Sequence, residues 1–468
     1  GLQVLETIKK KYPDIEVVVA TAFGEIDLAI RALQLDASDF ITKPISDEAL
    51  YLALKRARER FNSRKQLKDY TALLEKEKAE TSQVYLLFVD LDLSGPEGAW
   101  NLRIDAGTGW FPLNVLGALR RLRLTAIRYP GGNFASGYHW MDGIGPKNQR
   151  PTVRELAWQS VEPNLVGTDE YLQLCRVMGW TPMLTVNLGT GTPEEARNWV
   201  EYCNCPRGTH YADMRAGNGF PEPYGVDLWC LGNEMDGPWQ LGHVPADQYA
   251  IRAQQAAKMM RDVDRSIELV ACGSCEIGMQ TYMQWDRQVL EYLGDLADYV
   301  SLHRYVGNRD DDTPDYLAIT HSIDQQIEEM DAACRYVQAK RRSAKRAYLC
   351  FDEWNVWYKD RVGNGEGKFA PHLIEEVYNL EDALVVAEFL NSFIRHADAV
   401  KIANIAQIVN VIAPLLTRGD ELLIQPTFYP FEMFSRRREG VALQAAVDGP
   451  EYVGKTYGRV NVIDASAI

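Results

Sequence analysis

From residue 83 onward the chain alternates short apolar segments with longer amphipathic ones, and that rhythm limits the fold more than any other feature. Strand candidates fall at 84–89, 125–129, 182–187, 227–232, 267–272, 298–303, 347–352 and 399–406. Helical 3.6-residue patterns fill the spaces at 112–122, 168–178, 193–203, 246–264, 281–293, 321–340 and 381–396, with a weaker one near 428–436. The strand candidates are near-continuous apolar runs, which is how strands covered on both faces read. Eight such pairs predict an α/β fold of the (β/α)8 TIM-barrel class with insertions. A doubly wound sheet uses the same alternation, but no glycine-rich phosphate fingerprint follows any of these strands.

The first 62 residues have a different pattern. Helix is expected over 2–11, a buried strand over 15–20 ending at Thr21, helix over 25–35, a short strand over 39–42, and a helix over 46–61 capped by Ser46. Residues 63–82 are charged and helix-favouring, with Leu67, Leu73 and Leu74 at helical spacing, and read as a linker helix. The last stretch, 441–468, is strand-like. The expected organisation is therefore an N-terminal segment 1–62, a linker 63–82, a barrel 83–440 and a β-rich remnant 441–468.

Composition narrows the function. Apolar residues make up 46% of the chain, enough for a full core. A net charge of −15 argues against nucleic acid and acidic membranes as partners. Eleven Trp and 23 Tyr supply aromatic faces of the kind sugars stack on, although most of these serve a core. Cys203/Cys205 and Cys272/Cys275 lack a second pair or histidines at ligand spacing, so the cysteines read as small buried hydrophobes, with no metal and no cofactor expected. With no leader and no apolar run of membrane-spanning length, a reducing cytoplasm is the expected compartment.

Chemistry is expected where the strands end. Asp227 to Trp239 (DLWCLGNEMDGPW) is a buried strand closed by Gly232-Asn233-Glu234, and Tyr348 to Trp354 (YLCFDEW) is another that closes on Glu353. Two strand-end glutamates in one barrel are a candidate carboxylate pair for glycoside hydrolysis. The other strand ends contribute Arg128, Gly131-Gly132-Asn133, Asn187, His303-Arg304-Tyr305, Trp357 and Gln407. Taken one at a time each has a structural explanation: Gly131-Gly132 as a tight turn, His303 as a satisfied buried histidine, Asn187 and Gln407 as helix caps. Together at one mouth they favour a binding site.

RYPGGNFASGYHWMDGIGP (128–146), WCLGNEMDGPWQLGH (229–243), SLHRYVGNRDDDTPDYLA (301–318), FDEWNVWY (351–358) and IAQIVNVIAP (405–414) resemble the α-L-arabinofuranosidases of glycoside hydrolase family 51, over roughly residues 84–460. The resemblance implies a retaining exo-hydrolase removing terminal α-L-arabinofuranosyl groups from arabinan or arabinoxylan fragments, often as a hexamer. It makes Glu234 the acid/base and Glu353 the nucleophile. It places Arg128, Asn133, Asn233, His303, Tyr305, Trp357 and Gln407 around the sugar, with Trp158 beside them. Where the family has a glutamate at the end of strand one, Phe88-Val89-Asp90 offers the shorter Asp90, and the loop 91–111 diverges. The family's barrel packs against a β-sandwich, of which 441–468 is expected to be only the truncated start.

Residues 1–62 resemble the second half of a response-regulator receiver domain, a flavodoxin-like fold, with Thr21 at the switch hydroxyl and Lys43-Pro44 at the phosphate-contacting lysine. Without the phosphoacceptor aspartate these groups cannot carry phosphotransfer. Retention requires the two carboxyl groups about 5–5.5 Å apart, so that Glu353 can attack the anomeric carbon directly. Glu353 must stay ionised, which a cation such as Arg128 favours, and Glu234 must begin protonated. Asn233 is a natural donor to the 2-hydroxyl. Two alternatives stay open: an endo-acting clan member such as a xylanase or endoglucanase, and an inactive signalling or binding protein.

Overall fold

The computed structural model describes residues 2–12, 15–21, 31–32, 35–47, 49–58, 88–90, 113–358, 367–369, 371, 373–418, 421–437 and 439–468. The expected linker helix, most of the helix over 25–35 and the loop 91–111 lie outside them. The chain divides into two units, 1–83 and 84–468.

In the first unit, helix Leu2–Lys11 accompanies the parallel strands Val18–Thr21 and Asp39–Thr42. Leu5, Ala32 and Ala37 form a small core. The Ser46 hydroxyl accepts the Ala49 amide at 3.2 Å, so the helix that follows begins at the cap expected from sequence.

The second unit is a closed barrel of eight parallel strands in chain order: β1 (Phe88–Asp90), β2 (Ala126–Tyr129), β3 (Thr181–Thr185), β4 (Leu228–Leu231), β5 (Glu268–Ala271), β6 (Tyr299–Val306), β7 (Tyr348–Val356) and β8 (Val400–Ala406). Around it run α1 (Leu113–Leu122), α2 (Thr168–Met178), α3 (Pro193–Asn204), α4 (Ala246–Val263), α5 (Gln284–Leu293), α6 (Thr320–Arg341), α7 (Leu380–Arg395) and α8 (Phe428–Ser435). Local chemistry sets their ends. Thr192 caps α3 by accepting the Glu195 amide at 3.1 Å, with Pro193 in the first turn. Asn379 and Asp382 form a reciprocal capping box on α7.

Two apolar layers result. Ala126, Met183, Leu228, Cys230, Val270, Cys350 and Ile402 fill the lower barrel interior. A larger cluster, including Leu184, Trp229, Leu231, Phe351 and Trp354, packs the strands against the helices. All eight cysteines are free thiols and seven are buried, as small hydrophobes are. The C-terminal stretch adds one antiparallel hairpin, Glu451–Gly454 with Gly458–Asn461. No described helix is long and apolar enough to cross a membrane.

One core residue carries a testable liability. Glu388 on α7 is buried, and its Oε2 has no hydrogen-bond partner among the described residues. Burial first, then the Asp464 charge, push its carboxyl up to about 9, against the pull of Arg395. The folded chain keeps this group protonated after the unfolded chain has ionised it, so its contribution to stability falls as pH rises from about 4.5 toward 9. Glu388→Gln is therefore expected to raise unfolding stability by on the order of 1–3 kcal/mol at about pH 8 and to change it little at about pH 4. Urea denaturation at the two pH values checks this; a gain of equal size at both would assign the effect to something other than proton linkage.

Candidate active site

The barrel's C-terminal mouth is built by a change of strand parity. In a regular strand residues three apart face opposite sides, yet Phe351 and Trp354 both pack outward on Phe389 and Phe393 of α7. An extra residue in β7 reconciles this. From Phe351 to Trp354 the strand advances three residues while β8 advances two, from Ala403 to Ile405. On the other side Cys350 to Glu353 is matched by only Ser301 to His303 of β6. The bulge turns Asp352 and Glu353 to the same interior side. It also keeps Glu353 within β7 rather than beyond its end, where the sequence pattern had put it.

Arg128 on β2, fully buried, is the centre of the resulting network. Its Nη1 donates to Glu353 Oε1 at 2.9 Å, its Nη2 to Asn233 Oδ1 at 2.6 Å, and its Nε pairs with Asp352 Oδ2 at 3.3 Å. A guanidinium has no acceptor, so it orients Asn233 with the amide oxygen toward itself. The amide Nδ2 of Asn233 is buried and has no partner among the described residues, a donor waiting for an acceptor. Tyr305 on β6 donates its hydroxyl to Glu353 Oε2 at 2.9 Å.

Glu234 follows β4 in a tight turn. Gly232 takes φ +99°, where a side chain is disfavoured, and Glu234 itself sits at φ +43°. Its Oε2 accepts the Trp239 indole N–H at 2.7 Å, and its Oε1 lies 3.0 Å from His303 Nδ1. The same nitrogen is 3.5 Å from Glu353 Oε2, and His303 Nε2 is 3.2 Å from Asp352 Oδ1. Burial alone would lower the His303 pKa, but Glu353, Asp352 and Glu234 together raise it well above the ordinary imidazole range. A carboxylate oxygen beside each ring nitrogen favours the imidazolium, the form that can donate from both. Burial likewise opposes ionisation of Asp352, and Arg128, then His303 and Ser301, overcome it and hold that carboxyl below its ordinary range.

Of the remaining expected residues, Trp158, Tyr305 and Trp357 pack on one apolar cluster formed by Leu373, Ile374, Ala406, Val411 and Ile412. Tyr305 and Trp357 meet edge to face, centroids 5.2 Å apart. Trp158 is carried by a short hairpin, Val153–Arg154 with Val161–Glu162, inserted between β2 and α2. Gln407 is buried directly after β8. Asn133 opens a short 3-10 helix after β2 and its carbonyl accepts Gln240 Nε2 at 3.5 Å. Asp90 ends β1, its backbone between those of Arg128 and Ala406, while its side chain lies outside the described residues.

Asn187, counted among the mouth residues, is engaged by its own loop and by the loop after β2. It donates to Tyr138 O and Thr190 Oγ1 at 3.0 Å and accepts the amides of Gly189, Thr190 and Gly191. Asp352 and Ser301 were missed. The available signal was two adjacent acids, Asp352 and Glu353, inside an apolar strand, which simple alternation cannot place together. Among the described residues one cluster has metal-ligand types close together, with single atoms of Glu234, His303 and Glu353 all within 4.8 Å. A cation there would have to displace the His303 Nδ1 proton and stand beside the Arg128 guanidinium, so these donors fit a proton network better than a metal.

Comparison with known proteins identifies the family. The profile of the "Alpha-L-arabinofuranosidase 1 domain" matches residues 118–324, that of the "Alpha-L-arabinofuranosidase C-terminal domain" residues 352–465, and that of the "Response regulator receiver domain" residues 1–55. The chain is 45% identical over 368 residues to an intracellular exo-α-(1→5)-L-arabinofuranosidase of Bacillus subtilis strain 168, covering 78% of this chain and 74% of that protein. The solved structure of a family 51 α-L-arabinofuranosidase from Bifidobacterium longum superposes with a TM-score of 0.76 at 34% identity, covering 82% of this chain and 78% of that one. The arabinose complex of an α-L-arabinofuranosidase from Thermotoga maritima gives a TM-score of 0.70 at 35% identity, covering 79% and 73%. On fold, extent and identity alike, the chain belongs to the family 51 α-L-arabinofuranosidases.

Proposed function

We propose that this chain is a retaining, exo-acting α-L-arabinofuranosidase in which Glu353 is the nucleophile and Glu234 the acid/base. The observation that carries the reading is the spacing of the pair: a carboxylate oxygen of Glu234 and one of Glu353 lie within 4.8 Å. Inverting enzymes hold the two groups roughly 6.5–9.5 Å apart to admit a water, whereas direct attack needs about 5–5.5 Å. Glu353, held by Arg128 and Tyr305, attacks the anomeric carbon as Glu234 protonates the departing oxygen. Glu234 then takes a proton from water, which attacks the same carbon and frees Glu353.

Formation of the ester removes the Glu353 charge, which is the strongest of those holding the His303 proton. That loss also removes the like charge that opposes ionisation of Glu234, at the stage when Glu234 must act as base. The unpaired Asn233 amide N–H suits a sugar hydroxyl, and Trp158, Tyr305 and Trp357 suit a ring face beside it. Asn133, Gln407 and Asp90 complete the proposed sugar contacts. The relatives named as intracellular favour action inside the cell on arabinofuranosyl oligosaccharides. The same reading assigns 83–440 to the catalytic barrel, 441–468 to the opening of a β-sandwich, and no phosphotransfer to residues 1–62.

Proton NMR of an aryl α-L-arabinofuranoside during hydrolysis is the test. The α-anomer of arabinose is expected to form first and to mutarotate afterwards. First formation of the β-anomer would sink the double displacement, and absence of turnover from folded protein would sink the enzyme reading in favour of a binding role.

A further inference from the structure

Glu234 stands at φ +43°, a conformation that side chains other than glycine's disfavour, so its turn needs support. The Gly237 amide closes back onto Glu234 O at 2.8 Å. The rest of the support comes from the loop after β5. The Met235 amide donates to Cys272 Sγ at 3.2 Å, and the Cys275 amide donates to Asp236 Oδ2 at 3.0 Å. Asp286 on α5 fixes that loop in turn, accepting the Ser274 amide at 2.7 Å and the Ser274 hydroxyl at 2.6 Å. Asp236 is 1% exposed, and its Oδ1 has no hydrogen-bond partner among the described residues. The titratable groups that face it are Glu234 in its own turn, Cys272 and Cys275 after β5, Asp286 on α5 and Tyr249 on α4. None of these is a cation, and His243 of the same loop lies through Nδ1 against Met235 O at 2.9 Å. A serine or an asparagine could accept the Cys275 amide without a charge. A buried carboxylate with no cation beside it costs more than that brace requires, which points to a use for the charge.

We propose that Asp236 is a positioning residue for the acid/base: it braces the turn through the Cys275 amide, and its negative charge keeps Glu234 protonated for the first step and makes it a stronger base in the second. This rests on the roles assigned to Glu234 and Glu353 above. Like charges in a dry site oppose each other's ionisation. Glu353 acts on Glu234 in the same sense, but its charge vanishes in the glycosyl-enzyme, whereas that of Asp236 persists through both steps. Burial pushes the Asp236 carboxyl up to about 6 against the pull of Cys275, and the Glu234 and Asp286 charges add to the rise. The Asp236 charge is therefore mostly absent near about pH 5 and mostly present near about pH 7, so its effect should grow as pH rises through about 6. The Trp239 N–H, His303 and Glu353, which also face Glu234, stay in place when that charge is removed.

The pH profile of kcat/KM for the full chain tests this on two substrates. Methyl α-L-arabinofuranoside needs a proton on its departing oxygen, and 4-nitrophenyl α-L-arabinofuranoside does not. Asp236→Asn keeps an oxygen for the Cys275 amide and loses the charge. On the methyl glycoside it should match wild type within about threefold near about pH 5 and move the alkaline limb down by about half a pH unit or more. On the nitrophenyl glycoside the limb should stay where it is in wild type. Asp236→Ser, smaller and equally neutral, should give the same displacement and serves if the amide variant does not fold. An alkaline limb on the methyl glycoside that stays in place or moves up, with activity lowered by the same factor at every pH, would make Asp236 a structural brace only and overturn this inference alone. A wild type that hydrolyses neither substrate would overturn the functional reading and this inference with it.

Discussion

Glu353→Gln should abolish turnover, lowering kcat on 4-nitrophenyl α-L-arabinofuranoside by on the order of 10⁴-fold or more while the chain stays folded. The amide is isosteric: with its oxygen toward Arg128 Nη1 it still accepts there, and its NH2 can donate to the Tyr305 hydroxyl in place of the bond that Glu353 accepts. It cannot form the glycosyl ester, and no other ionised carboxylate in the network is free to attack, because Asp352 is held by Arg128, His303 and Ser301. Glu234→Gln should behave differently. Nitrophenolate leaves without a proton, so the first step survives and the second, which needs a base for water, slows by roughly 10²–10⁴-fold. A pre-steady-state burst of nitrophenol is the expected signature of Glu234→Gln and should be absent from Glu353→Gln. The reverse pattern would exchange the roles of the two residues.

Arg128→Met should cost both activity and stability. Its guanidinium touches Glu353, Asp352 and Asn233 from a fully buried position, and a thioether leaves the two buried carboxylates with His303 as the one cation named beside them. Breaking a buried pair by removing one partner costs about 3–5 kcal/mol, most of it the penalty of the uncompensated charge. The pH dependence follows from the direction of each shift. Asp352 is depressed in the folded chain, so its contribution is present above the unfolded value and is lost as pH falls through the folded one. His303 is raised, so its contribution is complete below the unfolded imidazole value and is lost as pH rises through the folded one. The deficit of Arg128→Met against wild type should therefore be largest near neutrality and shrink in acid, as the stranded carboxylates protonate. Chemical denaturation across about pH 4 to 7 reads this, and a deficit constant over that range would assign the loss to packing instead.

Element by element, the barrel was legible in sequence because a strand covered on both faces and a helix covered on one leave different local periods. The strand candidates at 125–129, 227–232, 267–272 and 399–406 and the helix at 168–178 agree with the observed elements to within a residue or so. Glu234, Arg128 and His303 were legible for a related reason. A polar residue at the end of an apolar strand is exceptional, and the barrel collects such exceptions at one mouth. What the pattern could not show was which of them belong to the site. Asn187 reads like the others, yet it is consumed by its own loop's backbone amides.

The amino-acid sequence by itself determined the order of strands and helices, the polarity of each strand end and hence the existence of a carboxylate pair. Only the tertiary structure decided how that pair is held. The bulge that turns Asp352 and Glu353 to one side exists because Phe351 and Trp354 both find aromatic partners on the outer helices, a demand made by residues 389, 393 and 431. The tether of Trp239 to Glu234 depends likewise on a missing Cβ at Gly237. Strand period is a local property of the chain, but side-chain parity across a bulge is set by what packs on the far side, and no window of sequence contains both.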